Sequence, residues 1–256
     1  MIVVSFTTSP ARIHLCERMV DSILNQSVPP DLFVLNIPNK YRNEETYEIP
    51  SFIKKKVSLN VIESDMGPGT KIIPTPSYCK KMGINASKYI YVDDDVDYPD
   101  RMIESMMFCS DSGLVISASC FSMIKSINGQ YHAGIYNTRI VNNYQIAEGF
   151  AGVCVSSKDI DGIEDFYDSL PKDSCVVLSD DFYLSVFFHS KRLILREVLI
   201  PGVYSFLDVI SRCLDYGFLD DALQNQESSN IPRYIEALRA IDSTIGVTIP
   251  AYNESN

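Results

Sequence analysis

Nowhere does this 256-residue chain approach the ~18 to 20 consecutive apolar residues that a membrane span requires. Its start, Met1-Ile-Val-Val-Ser-Phe-Thr-Thr, is apolar only briefly and lacks a basic leader, so it reads as a first strand and not as a signal peptide. Basic charge is scarce. With 22 Lys and Arg against 33 Asp and Glu, the formal net charge is −11, and the broad cationic face that a nucleic-acid backbone needs is missing. The seven cysteines include no CxxC pair and no zinc spacing. They are expected to be free, mostly buried thiols in a reducing compartment, which points to the cytoplasm. Internal repeats and low-complexity tracts are absent too, while 46% of residues are hydrophobic, an ordinary globular share. A chain of this length can bury one full-sized core with a small appended element.

What is present alternates strand and helix. Ile2 to Phe6, Leu32 to Ile37, Val57 to Ile62 and Tyr89 to Val92 are apolar runs of strand length. Between them, Leu15, Met19, Val20, Ile23 and Leu24 recur at helical spacing, and Ser77 to Ala86 reads as another helix. This βαβ order predicts an α/β fold, a mostly parallel sheet flanked by helices. Further strands are expected over Leu114 to Ser119, Met123 to Ile127, Gly149 to Val155 and Leu193 to Leu199, with a turn at Asn128-Gly129. Helices are expected over Asp159 to Leu170 and Asp180 to Lys191. Beyond Gly202 the composition changes. Phe206 to Leu223 and Ile231 to Ile241 suggest helices around the polar loop 224–230, and Tyr252 to Asn256 read as a frayed end. The division predicted is a catalytic domain over 1–202 and a helical C-terminal extension over 203–256.

The sharpest feature is Tyr89-Ile-Tyr-Val-Asp-Asp-Asp-Val-Asp97, a buried strand that ends in three consecutive carboxylates. Like charges so placed repel one another, and a strand end leading out of a core is a poor place for them unless a cation is near. A solvated acidic turn is the plain alternative, but Ile90 and Val92 lead straight from the core into the acids. A calcium loop is a second, with Asp93, Asp95, Asp97 and Glu104 at positions 1, 3, 5 and 12; Tyr98 then stands where the sharp turn needs glycine. The third reading is a sugar-nucleotide site, in which one carboxylate takes a ribose hydroxyl and another holds Mn2+ or Mg2+ against a diphosphate. Asp93 and Asp95, alternate residues of the triplet, can divide those tasks.

Six segments carry a wider resemblance: Thr7-Thr-Ser-Pro-Ala-Arg-Ile13, Ser22-Ile-Leu-Asn-Gln-Ser-Val-Pro-Pro30, Asp65-Met-Gly-Pro-Gly-Thr-Lys71, Tyr91-Val-Asp-Asp-Asp-Val-Asp-Tyr-Pro99, Glu148-Gly-Phe-Ala-Gly152 and Leu178-Ser-Asp-Asp-Phe-Tyr-Leu184. In this order, over roughly residues 1 to 200, the chain resembles the GT-A-fold glycosyltransferases, especially small family-2-like enzymes of bacteria and large algal viruses. The resemblance implies a Rossmann-like GT-A sheet and transfer of a sugar from a nucleoside-diphosphate donor, a UDP-sugar favoured, to a glycan or other hydroxyl acceptor, with inversion. It implies a nucleotide cradle of Thr7, Thr8, Arg12, Asp65 and Lys71, ribose and donor contacts from Asp93 and Asp94, and Mn2+ or Mg2+ on Asp95. Asp181 becomes the base that takes the acceptor proton, with Asp180 beside it contacting the acceptor or capping the helix. Plain structural roles compete for several of these: a cap for Thr8, a turn for Asp65, a solvated lysine at 71, a helix N-cap for Asp180. Gly149 to Gly152 would floor the transferred sugar, with Glu148 on a hydroxyl.

The pattern is departed from in one respect: no tryptophan exists to stack on an acceptor, leaving Tyr131, Tyr136, Phe150 or Tyr183. His132 stands in a loop that can close over the acceptor, while His189 reads as a packed or surface residue. Two other functions stay open. A sugar-phosphate nucleotidyltransferase shares the sheet and the metal logic but normally carries a Gly-rich Arg-Lys loop, which Thr7 to Arg12 does not reproduce. A non-catalytic nucleotide-sugar or glycan-binding module would need no base at Asp181.

Overall fold

Val3, Val4 and Phe6 at the start of the chain, like Ile90 and Tyr91 further on, are buried on both sides of their strands. That is the burial of strands covered by helices on each face. The computed structural model describes residues 1–42, 45–126, 130–135, 144–203, 206–218 and 230–247. Along them run β1 (Ile2–Phe6), α1 (Glu17–Leu24), β2 (Leu32–Pro38), α2 (Ser51–Lys56), β3 (Ser58–Ile62), α3 (Thr75–Lys81), β4 (Lys88–Tyr91), α4 (Met102–Cys109) and β5 (Leu114–Ser117). There follow β6 (Cys120–Lys125), β7 (Tyr131–Ile135), β8 (Tyr144–Ala147), β9 (Val153–Ser156), α5 (Ile163–Ser169), α6 (Ser174–Val177), α7 (Asp180–Ser190), β10 (Ile194–Glu197), α8 (Phe206–Ile210) and α9 (Asn230–Ile245).

The main sheet has seven strands in the order β10-β5-β9-β4-β1-β2-β3. All are parallel except β9, which runs antiparallel to both β4 and β5. Helices cover both faces: α1, α2 and α4 bury Met19, Val20, Ile23, Ile53, Met102 and Met106 on one, while α5, α7 and α9 bury Ile163, Phe182, Leu184 and Leu238 on the other. This is the α/β, Rossmann-like fold that the strand–helix alternation predicts. A second, antiparallel sheet, β7-β6-β8, packs beside α7 and α9.

Two consequences of the topology place the site. The chain builds outward from β1 through β2 to β3, then returns to lay β4 on the other side, so the crevice of the sheet opens at the carboxyl ends of β1 and β4. The reversed strand β9 begins where β4 ends, with Tyr91 opposite Val153, so the turn Gly149–Ala151 arrives at the same edge.

Some elements differ from expectation. The first helix is shorter, because Arg12 to Cys16 form turns, and the helix at Thr75–Lys81 stops before Gly83, which takes φ +70°. The strand expected over Met123 to Ile127 starts at Cys120 as the centre of the small sheet. Within Phe206 to Leu223, α8 ends at Ile210 and a 3-10 turn follows at Asp215–Phe218; residues 219–223 lie outside the described residues. The turn at Asn128-Gly129, the loop over 224–229 and the end at Tyr252 to Asn256 also lie outside them. No helix among the described residues is long and apolar enough to cross a membrane. All seven cysteines are free thiols, Cys16, Cys79, Cys120 and Cys154 fully buried.

Candidate active site

The loop after β1, the acids after β4, the 3-10 turn Gly67–Lys71 and the start of α7 meet at one edge of the sheet. Arg12 reaches from the first loop and donates through Nη2 to Asp94 Oδ1 at 2.6 Å and to Asp95 Oδ2 at 2.7 Å. Thr8 Oγ1 donates to the other Asp94 oxygen at 2.5 Å. Both Asp94 oxygens therefore accept from the first loop, and this residue braces that loop. Burial, opposed by Arg12 and reinforced by the adjacent Asp95 charge, lifts the Asp94 carboxyl from the usual carboxylate range to about 7. Asp95 is raised in the same way, by burial first. Thr7 is half-buried at the loop's rim. Asp65 accepts the Gly67 N–H at 2.8 Å, the role of a turn aspartate.

Lys71 is the centre of the other half. It is only 3% exposed, and its ammonium lies 2.6 Å from Asp93 Oδ1, 2.7 Å from Asp180 Oδ2 and 4.0 Å from Asp181 Oδ1. The solvated lysine considered from sequence does not occur. Burial works against the ammonium, but Asp180, Asp93 and Asp181 outweigh it and hold Lys71 protonated, well above the ordinary lysine value. Asp181 accepts the Gly149 N–H on Oδ1 at 2.8 Å, and Tyr234 Oη stands 3.4 Å from its Oδ2. Burial first, then the neighbouring Asp180 charge, raise the Asp181 carboxyl well above the usual range against the pull of Lys71. Gly149 is required by space: a Cβ there would fall 2.3 Å from Lys71 Nζ and 2.9 Å from Asp181 Oδ1.

Several contacts were not legible in the sequence. The segment 212–217 lies across the acids: Leu214 N–H donates to the Asp95 carbonyl at 2.6 Å, Tyr216 O–H to the Asp94 carbonyl at 2.6 Å, and Asp97 N–H to the Arg212 carbonyl at 2.9 Å. A Cβ on Gly217 would meet Asp95 Oδ2 at 2.5 Å, so this glycine lets the backbone close on the carboxylate. Tyr98 accepts the Asp93 N–H at 2.9 Å and donates to the Phe150 carbonyl at 3.0 Å, tying the acid loop to the glycine turn. Tyr47 donates to the Thr8 carbonyl at 2.8 Å. Apart from Tyr98, five residues from Asp93, these partners are far away in sequence.

The comparisons with known proteins add little to this geometry. No family model matches the sequence, and no curated protein matches it. Among solved structures, a 4-diphosphocytidyl-2C-methyl-D-erythritol synthase from Anaerococcus prevotii has a TM-score of 0.48 at 11% identity, covering 83% of this chain and 94% of that one. A second structure of that title gives 0.46 at 9% identity, covering 82% and 96%. CMP:2-keto-3-deoxy-manno-octonic acid synthetase complexed with CTP gives 0.42 at 11%, covering 77% and 88%.

Other expected contacts resolve in the described residues. Asp97 pairs with Arg18 and Glu104 with Arg101, away from one another, so the calcium-loop spacing does not form a cage. Tyr183 is buried at 1% exposure and cannot stack on an acceptor, whereas Tyr131 and Phe150 are partly exposed; Tyr136 lies outside the described residues. Glu148 is buried and bonded to Ser119 Oγ at 2.5 Å. His189 packs on the Tyr144 ring at 4.0 Å and bonds to the Gln145 carbonyl, a packed residue as read from sequence.

Among the described residues no three His, Cys, Asp or Glu side chains converge as a ready metal cage. The cluster nevertheless sets the carboxylates of Asp93, Asp94, Asp95, Asp180 and Asp181 against only Arg12 and Lys71. Of the triplet, Asp93 and Asp95 keep partly exposed carboxylates, and these are the residues that would hold a divalent ion.

Proposed function

We propose that this chain is a metal-dependent glycosyltransferase that moves a sugar from a nucleoside-diphosphate donor, a UDP-sugar favoured, to a hydroxyl acceptor such as a glycan, with inversion. The observation that carries the reading is Lys71. One buried ammonium joins Asp93, at the nucleotide-facing end of β4, to Asp180 and Asp181 at the start of α7. A donor-side acid and an acceptor-side acid pair are thus brought together on one ammonium, as displacement at a sugar carbon requires.

In this reading Thr7, Thr8, Arg12 and Asp65 border the nucleotide and Asp93 takes a ribose hydroxyl. Asp95, which also accepts from Arg12, would hold Mn2+ or Mg2+, and the ion would neutralise charge on the departing diphosphate. Asp181, whose carboxyl is lifted above the usual range by burial first, accepts the acceptor proton. Asp180 orients it through Lys71. The absence of a Gly-rich Arg-Lys loop after β1 favours sugar transfer over nucleotidyl transfer. The second reading keeps one observation in its favour: Arg12 stands at the end of that loop, where a polyphosphate needs a cation.

Product analysis tests both. Purified protein with Mn2+ and a panel of nucleoside-diphosphate sugars is expected to release the nucleoside diphosphate, and Asp95→Asn, folded, to release none. Pyrophosphate from a nucleoside triphosphate and a sugar phosphate would replace this reading with nucleotidyl transfer. Nucleotide affinity without any turnover would make the chain a binding module.

A further inference from the structure

The acid pair at the start of α7 has more negative charge around it than the reaction can use. Asp181 is faced by Lys71 from the 3-10 turn, Asp93 and Tyr91 from β4 and its loop, and Asp180 from its own helix. Tyr234 of α9, Cys120 of β6 and the more distant Glu148 complete its surroundings. Arg233 of α9 lies over the Tyr234 ring at 5.9 Å, but among the described residues Lys71 is the cation in ion-pair reach of Asp181, and it is not free to move. Gly149 leaves no room on one side, and the Tyr91 ring lies 5.6 Å from the ammonium on another. Asp93 and Asp180 hold it at 2.6 and 2.7 Å, closer than the 4.0 Å to Asp181.

We propose that Lys71 is a positioning residue that keeps Asp181 in its ionised, proton-accepting form and couples that state to Asp93 on the donor side. This rests on the reading of Asp181 as the base. The physical reason is the number of claimants for one positive charge. A carboxylate out of water ionises only where a cation offsets the lost solvation, and here three carboxylates divide that offset. A group that donates to Asp93, a ribose hydroxyl above all, offsets part of that carboxylate's repulsion of Asp181 while Lys71 stays in place. Asp181 thereby ionises more readily once the donor is seated. The lysine touches neither the leaving group nor the acceptor in this scheme; it acts through the carboxylates it holds.

The test reads Asp181 directly and needs no substrate. Aspartate side-chain carboxyls are labelled with 13C, the Asp181 signal is assigned by its loss in Asp181→Asn, and the titration is followed by NMR. Lys71→Met is expected to raise the proton affinity of Asp181 at least tenfold, and Lys71→Arg to hold it within threefold of wild type. Asp93→Asn removes a competing carboxylate and is expected to lower that affinity at least threefold. An unmoved Asp181 in Lys71→Met overturns the proposal, and so does an unmoved or raised one in Asp93→Asn. If Lys71→Met does not fold, Asp93→Asn decides alone. Where transfer is detected, the acid limb of kcat/KM against pH must move to higher pH in Lys71→Met. Lack of transfer in wild type would fault the glycosyltransferase reading and leave the NMR result standing.

Discussion

Gly69 and Tyr183 lock the turn that carries Lys71 onto the helix that carries Asp181, and the lock has a measurable weakness. A Cβ on Gly69 would fall 1.7 Å from Tyr183 Oη, with Tyr183 Cζ and Ile73 Cδ1 both at 2.9 Å. The hydroxyl is fully buried and finds no hydrogen-bond partner among the described residues. Gly69→Ala therefore forces a shift of more than an ångström in a packed interior, which places its cost at the upper end of the ~1 to 3 kcal/mol typical of overpacking. Tyr183→Phe alone removes an unsatisfied buried polar atom, and is expected to leave stability unchanged or raise it by about 1 kcal/mol. The double variant is the informative one. With the hydroxyl gone the closest contacts are those near 2.9 Å, so Gly69→Ala should cost about 1 kcal/mol less on the Phe background. Urea unfolding of the four proteins at pH 7 gives the cycle. Strict additivity, or a loss of more than 1 kcal/mol in Tyr183→Phe, would refute the steric account, because either result means the hydroxyl is held by a bond or is not what the alanine meets.

Gly149→Ala pushes on the Lys71 ammonium rather than on an apolar ring, so it should lower stability by about 2 kcal/mol and raise the midpoint of the Asp181 titration, read by the same NMR experiment. Gly217→Ala places a methyl against Asp95 Oδ2 and should weaken metal-dependent nucleotide stabilisation in a thermal-shift assay at least fivefold, while leaving the fold intact by circular dichroism. Tyr216→Phe, which removes only the bond to the Asp94 carbonyl, should cost about 1 kcal/mol in the same unfolding assay. The pH dependence has a definite sign. Asp94 binds its proton more tightly folded, at about 7, than unfolded, near 3.8, so its contribution to stability is largest below pH 4 and is lost as pH rises to 7. The loss is at most about 4 kcal/mol, and Asp94→Asn should flatten the fall in urea midpoint between pH 4.5 and 8; an equal slope in both proteins would rule the assignment out.

How much of this was readable in advance follows from distance along the chain. β1, β2, β3 and β4 are legible because each is a buried run bounded by turn residues, and the acids after β4 announce themselves by leaving a core. The direction of β9 is not legible, since Val153 to Ser156 carries no mark of whether its neighbours run with it or against it. Nor are α2 and α4: Ser51-Phe-Ile-Lys-Lys-Lys is too short for a period, and Met102-Ile-Glu-Ser-Met-Met-Phe-Cys is apolar on most of its circumference. At the site, the reasoning that three acids require a cation was sound, but a single sequence supplies no pairing. That Arg12 pairs with Asp94 and Asp95, and Lys71 with Asp93 and Asp180, was not legible, because each partner lies on a different segment of the chain. Tyr216 and Gly217 lie about 120 residues from the acids they cover, beyond the reach of any local pattern.

That last separation also sets when the site can exist during synthesis. The first loop, the acids after β4 and the segment 212–217 form one hydrogen-bonded unit, so the ribosome must deliver more than four-fifths of the chain before the donor half can close. Until then Asp93, Asp94 and Asp95 stand at the end of a nearly finished sheet with water on one side. The closing of that edge must therefore wait for residues 212–217, which makes it a long-range step of folding.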